Sequence, residues 1–197
     1  MNKHVTIVLL SHRSKDLVIK FIQNIYNEFK IIIIDNSNDL DLKEEIVKKY
    51  PNIIFEIIDN NGYGAAINHG SKLVKSRYFL ISNPDIEGLD KKDIEQFINV
   101  AKNLNDNFSA LGPRFNNVDK KSLIQSNNNL KIADMKFLSG SCMFFKKETF
   151  ELLGGFDENF FLYFEESDFC LRAYKKYKNY QINNIQLTHN VGTSVTT

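Results

Sequence analysis

The sequence predicts an α/β fold in which a parallel sheet is covered by helices on both faces. Short apolar runs rich in β-branched residues alternate with stretches whose apolar residues recur every three or four positions. These two patterns are typical of buried strands and of amphipathic helices, respectively. Continuous apolar strands separated by helices favour a parallel sheet with both faces buried. A polar cluster also follows each strand of the first half, as expected where ligands bind at one edge of an open α/β sheet.

Composition and charge narrow the class of protein further. The 197 residues are 43% hydrophobic and 25% charged, which suits a single domain with a real core. The formal net charge of +1 does not indicate the positive charge that binds nucleic acids, so no nucleic acid is expected as a partner. Cys142 and Cys170 lie far apart, so we predict neither a zinc knuckle nor a disulfide framework, and a cytoplasmic protein is the default. No apolar run approaches the length of a membrane span, and residues 1–10 lack the features of a signal peptide.

The first half of the chain is predicted to alternate strands and helices. The predicted strands are residues 5–10, 31–34, 53–58 and 78–81. The predicted helices are residues 16–29, 42–50 and 65–74, the second of them ended by Pro51. The polar clusters that follow the strands are residues 11–14, 35–39, 59–64 and 82–85. Because parallel strands share a carboxyl edge, all four clusters are expected along one side of the sheet.

The second half has a different character. An amphipathic helix is predicted at residues 91–104 and a short strand at 110–113, and the polar stretch 116–131 is expected to be a loop or hairpin. The remaining predicted elements are a strand at 137–145 that contains Ser139-Gly140-Ser141, a helix at 147–153 ended by Gly154-Gly155, a helix from 165 to about 178, and a strand at 182–187 followed by His189.

Two of the polar clusters suit a nucleotide. Asp35 and Asn36 offer an acceptor and an amide for a nucleobase or ribose, although a polar turn that starts the next helix would look the same. Residues 60–70 are punctuated by glycine and lead into a helix N-terminus, where phosphate is favoured. A dinucleotide-binding fingerprint is not present, because Gly62 and Gly64 lack the third glycine and follow the third strand rather than the first.

A third cluster suits a divalent metal. Asn83-Pro84-Asp85 places one carboxylate in a stiff turn at a strand end, and a single carboxylate beside diphosphate oxygens is a usual way to hold Mg²⁺ or Mn²⁺. The alternative is a helix-capping aspartate. His189 would be a second ligand if it folds back to Asp85, and it would otherwise be an ordinary surface histidine.

The stretch 154–172 packs six aromatic residues and five carboxylates into nineteen positions. Acids held against an apolar wall have a raised pKa, which suits a general base. Glu165, Glu166 and Asp168 follow such a wall directly. They are equally compatible with the first turn of a helix, where the dipole favours acids and Asp168 can pair with Arg172.

Taken together, these motifs resemble the family 2 glycosyltransferases with a GT-A fold, in particular the rhamnosyltransferase-like branch that decorates bacterial surface polysaccharides. The motifs that carry the resemblance are residues 33–37, 60–68, 80–85, 154–161 and 165–172, followed by His189. They cover nearly the whole chain in the right order. The resemblance implies a Rossmann-like three-layer α/β/α sandwich whose mainly parallel sheet has a short antiparallel part in the C-terminal half.

The family also implies roles for individual residues. Residues 1–105 would form the half that binds the nucleotide sugar, and residues 106–197 the half of the same domain that carries the acceptor side and the base. Glu166 occupies the position of the catalytic base, with Glu165 and Asp168 as alternatives. Mg²⁺ or Mn²⁺ would be held by Asp85 and His189. The residues implied to contact the nucleotide sugar are Ser11, Asp35, Asn36, Asn61, Gly62, Tyr63, Gly64, Asn68, Asn83 and Asp85.

The reaction implied is transfer of a sugar such as L-rhamnose from a nucleoside-diphosphate donor, a dTDP- or UDP-sugar, with inversion at the anomeric carbon. The acceptor would be a hydroxyl of a glycan or of a lipid-linked glycan. A lipid-linked acceptor would bring this cytoplasmic protein to the inner face of the cell membrane as a peripheral protein.

Several features depart from the family pattern. The metal motif has one carboxylate instead of two, the base position carries glutamate where aspartate is common, and the turn after Asn36 is one residue short. The chain also stops at Thr197, soon after His189, where family members usually continue. The alternative hypothesis is therefore a non-catalytic module that binds nucleotide sugars without a complete acceptor site. An oxidoreductase is disfavoured, because residues 10–14 contain no glycine.

Overall fold

The structure is a computed structural model that describes residues 2–119, 122–126 and 130–190. The strands in this part of the chain are β1 (Asn2–Ser11), β2 (Phe29–Asp35), β3 (Ile54–Ile57), β4 (Tyr78–Ser82), β5 (Ile86–Glu87), β6 (Ala110–Phe115), β7 (Ile132–Met135), β8 (Cys142–Lys146) and β9 (Asn179–His189). The helices are α1 (Lys15–Gln23), α2 (Leu40–Lys49), α3 (Tyr63–Leu73), α4 (Lys91–Asn103), α5 (Lys147–Leu152) and α6 (Glu165–Tyr174).

The strands form one sheet in the order β3-β2-β1-β4-β8-β6-β9-β5, and β7 also pairs with β9. Strands β1 to β4 are mutually parallel, and β6 is parallel to β9. Strand β8 is antiparallel to both β4 and β6, and β5 and β7 are antiparallel to β9. The predicted parallel sheet with an antiparallel part in the C-terminal half is confirmed. Because β8 is antiparallel to both β4 and β6, strand β6 runs in the same direction as β4, and so does β9. Strand β9 therefore ends at the same edge of the sheet as β1, β2 and β4.

Alternation along the strands sends side chains to two separate cores, one on each face of the sheet. On one face, Ile7 and Ile33 pack with buried residues of α1, α2 and α4, including Phe97. On the other, Val8 and Ile34 pack with buried residues of α3, α5 and α6. This arrangement is the three-layer sandwich that the resemblance implies.

The second core is largely aromatic. The ring of Phe145 lies 5.0 Å from that of Phe150, 5.4 Å from that of Phe169 and 6.1 Å from that of Phe156, each in an edge-to-face arrangement that favours aromatic packing. Phe169 lies on α6 and Phe156 follows the turn at 154–155. This packing anchors the N-terminal turn of α6 against the sheet.

Some predicted boundaries were wrong. Helix α1 ends at Gln23 and the chain continues in turns to Phe29, where β2 begins. The turns keep Ile25 buried, so its position continued the helical period after the helix had ended. The predicted strand at 137–145 begins only at Cys142, and residues 139–141 precede it.

Strands β5 and β7 were missed, because two and four residues carry too little periodicity and their pairing with β9 defines them. Strand β9 is longer than predicted and includes His189. In the polar stretch 116–131, residues 120–121 and 127–129 lie outside the described residues, and the described remainder contains turns, as expected. Within the described ranges, no helix combines the length and the hydropathy that crossing a membrane requires.

Candidate functional site

The candidate site lies at the carboxyl edge of the sheet, where β1, β2, β4 and β9 end. The strand register aligns Ser11 with Asp35, and it places Ser82 beside Cys142 at the start of β8. The antiparallel pairing of β5 with β9 then sets Ile86 opposite His189. The sheet topology therefore gathers residues from distant parts of the chain along one edge.

Asp35 is fully buried and organises the turn that follows β2. Its Oδ1 accepts hydrogen bonds from the backbone N–H groups of Ser37 and Asp39, both at 3.0 Å, and its Oδ2 accepts one from Ser37 Oγ at 3.0 Å. Asp39 in turn caps α2, accepting from Leu42 N at 2.8 Å. The Asp35 carboxylate is thus largely occupied by its own turn, although a carboxylate can accept further bonds.

A row of polar side chains joins the ends of three strands. Asn36 Oδ1 lies 2.8 Å from His12 Nδ1, and Asn36 Nδ2 donates to Asn60 Oδ1 at 3.0 Å. Asn60 Oδ1 also accepts from Gly62 N at 3.3 Å. Ser11 is buried one residue before His12, and its carbonyl accepts from Asn36 N at 3.1 Å. His12 and Asn60 were not selected from the sequence as site residues, and their place in the strand-end clusters was the available signal.

Asp85 and His189 come together at this edge. Asp85 is 3% exposed, and its Oδ1 lies 3.2 Å from His189 Nε2. That contact lies within ion-pair distance but lacks hydrogen-bond geometry, which leaves Asp85 Oδ1 buried without a hydrogen-bond partner. The backbone N–H of Asn83 donates to Ser141 O at 2.8 Å, which ties the Asn83–Asp85 turn to the start of β8.

The Asp85–His189 pair fits a divalent metal. Two ligand atoms bound at a right angle to one ion at about 2.1 Å stand about 3 Å apart. The observed separation of 3.2 Å and the unpartnered carboxylate oxygen agree with that arrangement. No cluster of three or more His, Cys, Asp or Glu that could hold a metal occurs among the described residues. Of the described residues, Asp85 and His189 are the two that would hold the ion, with phosphate and water as further ligands.

The N-terminus of α3 contacts the chain segment around Phe161. Tyr63 N donates to the carbonyl of Phe161 at 2.9 Å, and Gly62 has φ +98°. A Cβ at position 62 would lie 2.2 Å from the same carbonyl oxygen, so the approach requires glycine. Asn61 is exposed beside this contact. The Phe161 carbonyl thus takes the first N–H group of the helix end that the sequence suggested for phosphate.

Three of the residues implied to contact the nucleotide sugar make contacts within the protein. The Tyr63 hydroxyl donates to Gly140 O at 2.8 Å. Gly64 packs against α6, where an added Cβ would lie 3.5 Å from Glu165 Cβ. Asn68 is buried, and its side chain donates to Phe156 O at 2.8 Å and accepts from Phe156 N at 3.0 Å. These contacts join α3 to the segment that precedes α6.

The three carboxylates at the start of α6 have different surroundings. Glu165 is 4% exposed, its Oε2 has no hydrogen-bond partner, and burial raises its pKa from 4.5 to about 7, with a smaller contribution from Glu166. Glu166 is partly exposed and accepts from Ser167 Oγ at 3.2 Å. Asp168 accepts from Arg172 Nε at 2.7 Å, so it is held in the i,i+4 ion pair expected of a helix surface.

An exposed apolar loop directly precedes these carboxylates. Phe161, Leu162, Tyr163 and Phe164 are between 49% and 69% exposed. Tyr163 and Phe164 both adopt a left-handed backbone conformation, with φ of 68° and 75°. In residues other than glycine this conformation costs free energy, and such strained residues are concentrated at functional sites. The loop is fixed at its base by the bond between Phe161 O and Tyr63 N.

Comparison with curated proteins found two transferases that are similar in sequence. The curated hexosyltransferase Agl10 of low-salt glycan biosynthesis from Haloferax volcanii is 25% identical over 193 residues, which cover 86% of this chain and 61% of that protein. Rhamnosyltransferase WbbL from Escherichia coli K12 is 27% identical over 203 residues, covering 85% of this chain and 76% of that protein. The chain thus spans about three fifths of the length of the first of these relatives.

Solved structures show the same fold. Mannosyltransferase PcManGT from Pyrobaculum calidifontis, in complex with GDP-Man and Mn²⁺, superposes with a TM-score of 0.76 at 17% identity, covering 98% of this chain and 58% of that one. TarS from S. aureus in complex with UDP-GlcNAc superposes with a TM-score of 0.73 at 14% identity, covering 93% of this chain and 57% of that one. The architecture is the GT-A fold. The family model described as glycosyl transferase family 2 matches residues 6–173, and the chain belongs to that family.

Proposed function

We propose that this protein transfers a sugar from a nucleoside-diphosphate donor to an acceptor hydroxyl, with inversion at the anomeric carbon. Membership of glycosyl transferase family 2 supports the general reaction. The buried Asp85 oxygen that lacks a hydrogen-bond partner beside His189 is the observation that carries the proposal, because it provides a place for the cation that accompanies a diphosphate. The strand ends at Ser11, Asp35 and Asn36 would hold the nucleoside.

Glu166 is the proposed catalytic base. An acceptor hydroxyl must reach the base within hydrogen-bond distance, and Glu166 and Asp168 are both partly exposed, but only Asp168 is held in an ion pair. Asp168 is paired with Arg172, and Glu165 is buried. Glu166 would take the proton from the acceptor oxygen as that oxygen attacks the anomeric carbon from the face opposite the diphosphate. The C–O bond to the diphosphate breaks as the new glycosidic bond forms.

Asp85 and His189 are the residues proposed to hold Mg²⁺ or Mn²⁺. When bound, the ion neutralises charge that develops on the departing diphosphate. Support for a divalent ion comes from PcManGT, whose solved complex contains GDP-Man and Mn²⁺. Asn83 lies in the turn that carries Asp85, and Asn61 lies in the turn between β3 and α3; both are proposed to contact the donor.

The donor is proposed to be a dTDP- or UDP-sugar carrying L-rhamnose or a similar sugar. One similar protein is a rhamnosyltransferase, and another is a hexosyltransferase of glycan biosynthesis. The acceptor is proposed to be a glycan or a lipid-linked glycan, with the exposed loop at 161–164 as the wall beside it. Aromatic side chains present flat apolar faces that suit the C–H surface of a sugar ring. A cytoplasmic location, peripheral at the inner membrane face, follows from such an acceptor.

Calorimetric titration with UDP, dTDP and GDP, each with and without Mn²⁺, tests the proposal. One nucleotide is expected to bind, and Mn²⁺ is expected to tighten its binding at least about tenfold, as for an ion that bridges protein and diphosphate. Asp85→Asn should remove the Mn²⁺ effect, whereas Asp134→Asn on β7, which contacts Tyr174 and Lys178 instead, should keep it. Binding that is independent of Mn²⁺ in all three proteins would contradict the metal site.

Mass-spectrometric detection of donor hydrolysis across dTDP-, UDP- and GDP-sugars would then identify the donor. Glu166→Gln is expected to lower turnover by about a hundredfold, since a general base contributes on that order, while nucleotide binding is retained. Unchanged turnover in Glu166→Gln would exclude Glu166 as the base and direct attention to Glu165.

A further inference from the structure

Tyr63 makes two contacts that reach two different parts of the site. Its backbone N–H donates to Phe161 O at 2.9 Å, at the base of the exposed apolar loop. Its hydroxyl donates to Gly140 O at 2.8 Å, across 77 residues of sequence. One residue at the start of α3 therefore holds both the loop that precedes α6 and the short segment that precedes β8.

The segment held by the hydroxyl lies directly against Glu166. A Cβ built on Gly140 would be 3.2 Å from Glu166 Cγ and 3.3 Å from Glu166 Cβ. Because glycine has no Cβ, the Gly140 backbone can lie beside the Glu166 side chain, and it forms part of the wall against which that side chain packs. The next residue, Ser141, accepts a hydrogen bond through its carbonyl from Asn83 N at 2.8 Å. The same short segment thus contacts both the Glu166 side chain and the turn that carries Asp85.

The hydroxyl of Tyr63 is poorly placed to bind a nucleotide. Tyr63 is partly buried, and the single proton of its hydroxyl is already donated to the Gly140 carbonyl. Burial and the nearby carboxylates of Glu165 and Glu166 raise the pKa of this phenol well above its usual value, so it remains a donor. With its proton already donated, the hydroxyl has only acceptor capacity left, and an acceptor does not suit phosphate oxygens, which need donors.

We propose that Tyr63 is a positioning residue, whose hydroxyl fixes the Gly140 segment and thereby sets the position of Glu166 relative to the Asp85 turn. This inference rests on the proposed function for its catalytic consequence and on the geometry alone for its structural one. Loss of the hydroxyl leaves the backbone bond to Phe161 intact, because that bond does not involve the side chain.

Tyr63→Phe tests the proposal, with Tyr50→Phe as the matched control. Tyr50 follows α2 at the opposite edge of the sheet and packs on Tyr26 with ring centroids 4.9 Å apart. Amide hydrogen exchange measured by mass spectrometry should become at least about threefold faster in peptides covering 137–146 of Tyr63→Phe, because a local hold on that segment is lost. The same peptides should exchange at the wild-type rate in Tyr50→Phe. Unchanged exchange in Tyr63→Phe would overturn the proposal.

Kinetics with the donor that the hydrolysis screen identifies give the second readout. Tyr63→Phe should lower kcat about tenfold and leave the donor KM unchanged, as expected when only the alignment of the base is lost. A raised donor KM with an unchanged kcat would mean that Tyr63 binds the nucleotide, and the proposal would be wrong. If wild-type protein neither binds nor hydrolyses any donor, the proposed function fails, and the exchange rates still decide whether Tyr63 holds the Gly140 segment.

Discussion

Replacing Glu165 with glutamine tests the burial of its carboxyl group, because glutamine keeps the shape of the side chain and removes the charge. Burial raises the pKa of Glu165 from 4.5 to about 7. At about 1.4 kcal/mol for each pH unit between the two pKa values, ionised Glu165 destabilises the fold by about 3 kcal/mol. Since the folded-state pKa is the higher one, the stability that the protonated carboxyl provides is complete below pH 4.5. It is lost as the pH rises from 4.5 to about 7.

Urea unfolding between pH 4 and pH 8 measures this effect. Glu165→Gln has no charge to bury, so its free energy of unfolding should gain about 3 kcal/mol relative to wild type across this range. Other titrating groups are common to both proteins and cancel in the difference. Glutamine at this position is therefore expected to stabilise the protein most above pH 7.

Glu148→Gln is the control, because the pKa of Glu148 is lowered whereas that of Glu165 is raised. The ammonium group of Lys146 lies 2.8 Å from the exposed Glu148 carboxylate and lowers its pKa. Any stability from that pair is present above pH 4.5 and is lost as the pH falls further, so its removal should not stabilise the protein at pH 8. If the difference between Glu165→Gln and wild type does not change from pH 4 to pH 8, the Glu165 carboxyl is not buried in this way, and the reasoning is refuted.

Two further substitutions test the contacts that hold α3 to the chain before α6. Gly62→Ala places a Cβ 2.2 Å from Phe161 O and should lower the free energy of unfolding by more than about 2 kcal/mol, as urea unfolding would measure. Gly88→Ala, which has φ +94° and nothing nearer than 3.7 Å, should cost less, and equal losses would exclude the clash. Asn68→Ala breaks its buried bonds to Phe156 and should cost about 3 kcal/mol in the same assay, whereas a loss below about 0.5 kcal/mol would mean that these bonds are not formed.

Much of the fold could be predicted because its signals are local. The strands around Ile7, Ile33 and Leu80 are unbroken apolar runs, and each must be buried on both faces. The pairing of β5 and β7 with β9 gave no such signal, because a strand of two or four residues is defined by its partner rather than by its own sequence. The end of α1 was misplaced for a related reason, since Ile25 is buried whether or not the helix continues.

The candidate site, too, could be predicted from the sequence only in part. The sequence placed Asp35 and Asp85 at one edge, because polar residues after parallel strands meet there. From the sequence, His189 was expected to contact Asp85 only if the chain folds back. The antiparallel strand β8 and the pairing of β5 with β9 bring His189 Nε2 to 3.2 Å from Asp85 Oδ1.

The sequence by itself determined the alternation of strands and helices, and it predicts the edge at which a ligand would bind, because both follow from local periodicity and from the geometry of parallel strands. Only the tertiary structure decided that Glu165 is buried while Glu166 stays partly exposed, whereas the pairing of Asp168 with Arg172 already followed from their i,i+4 spacing. It also decided that the Tyr63 hydroxyl reaches Gly140 and that Gly62 meets Phe161. These outcomes depend on contacts between residues far apart in the chain, and no local pattern of residues encodes the direction in which a side chain finds its partner.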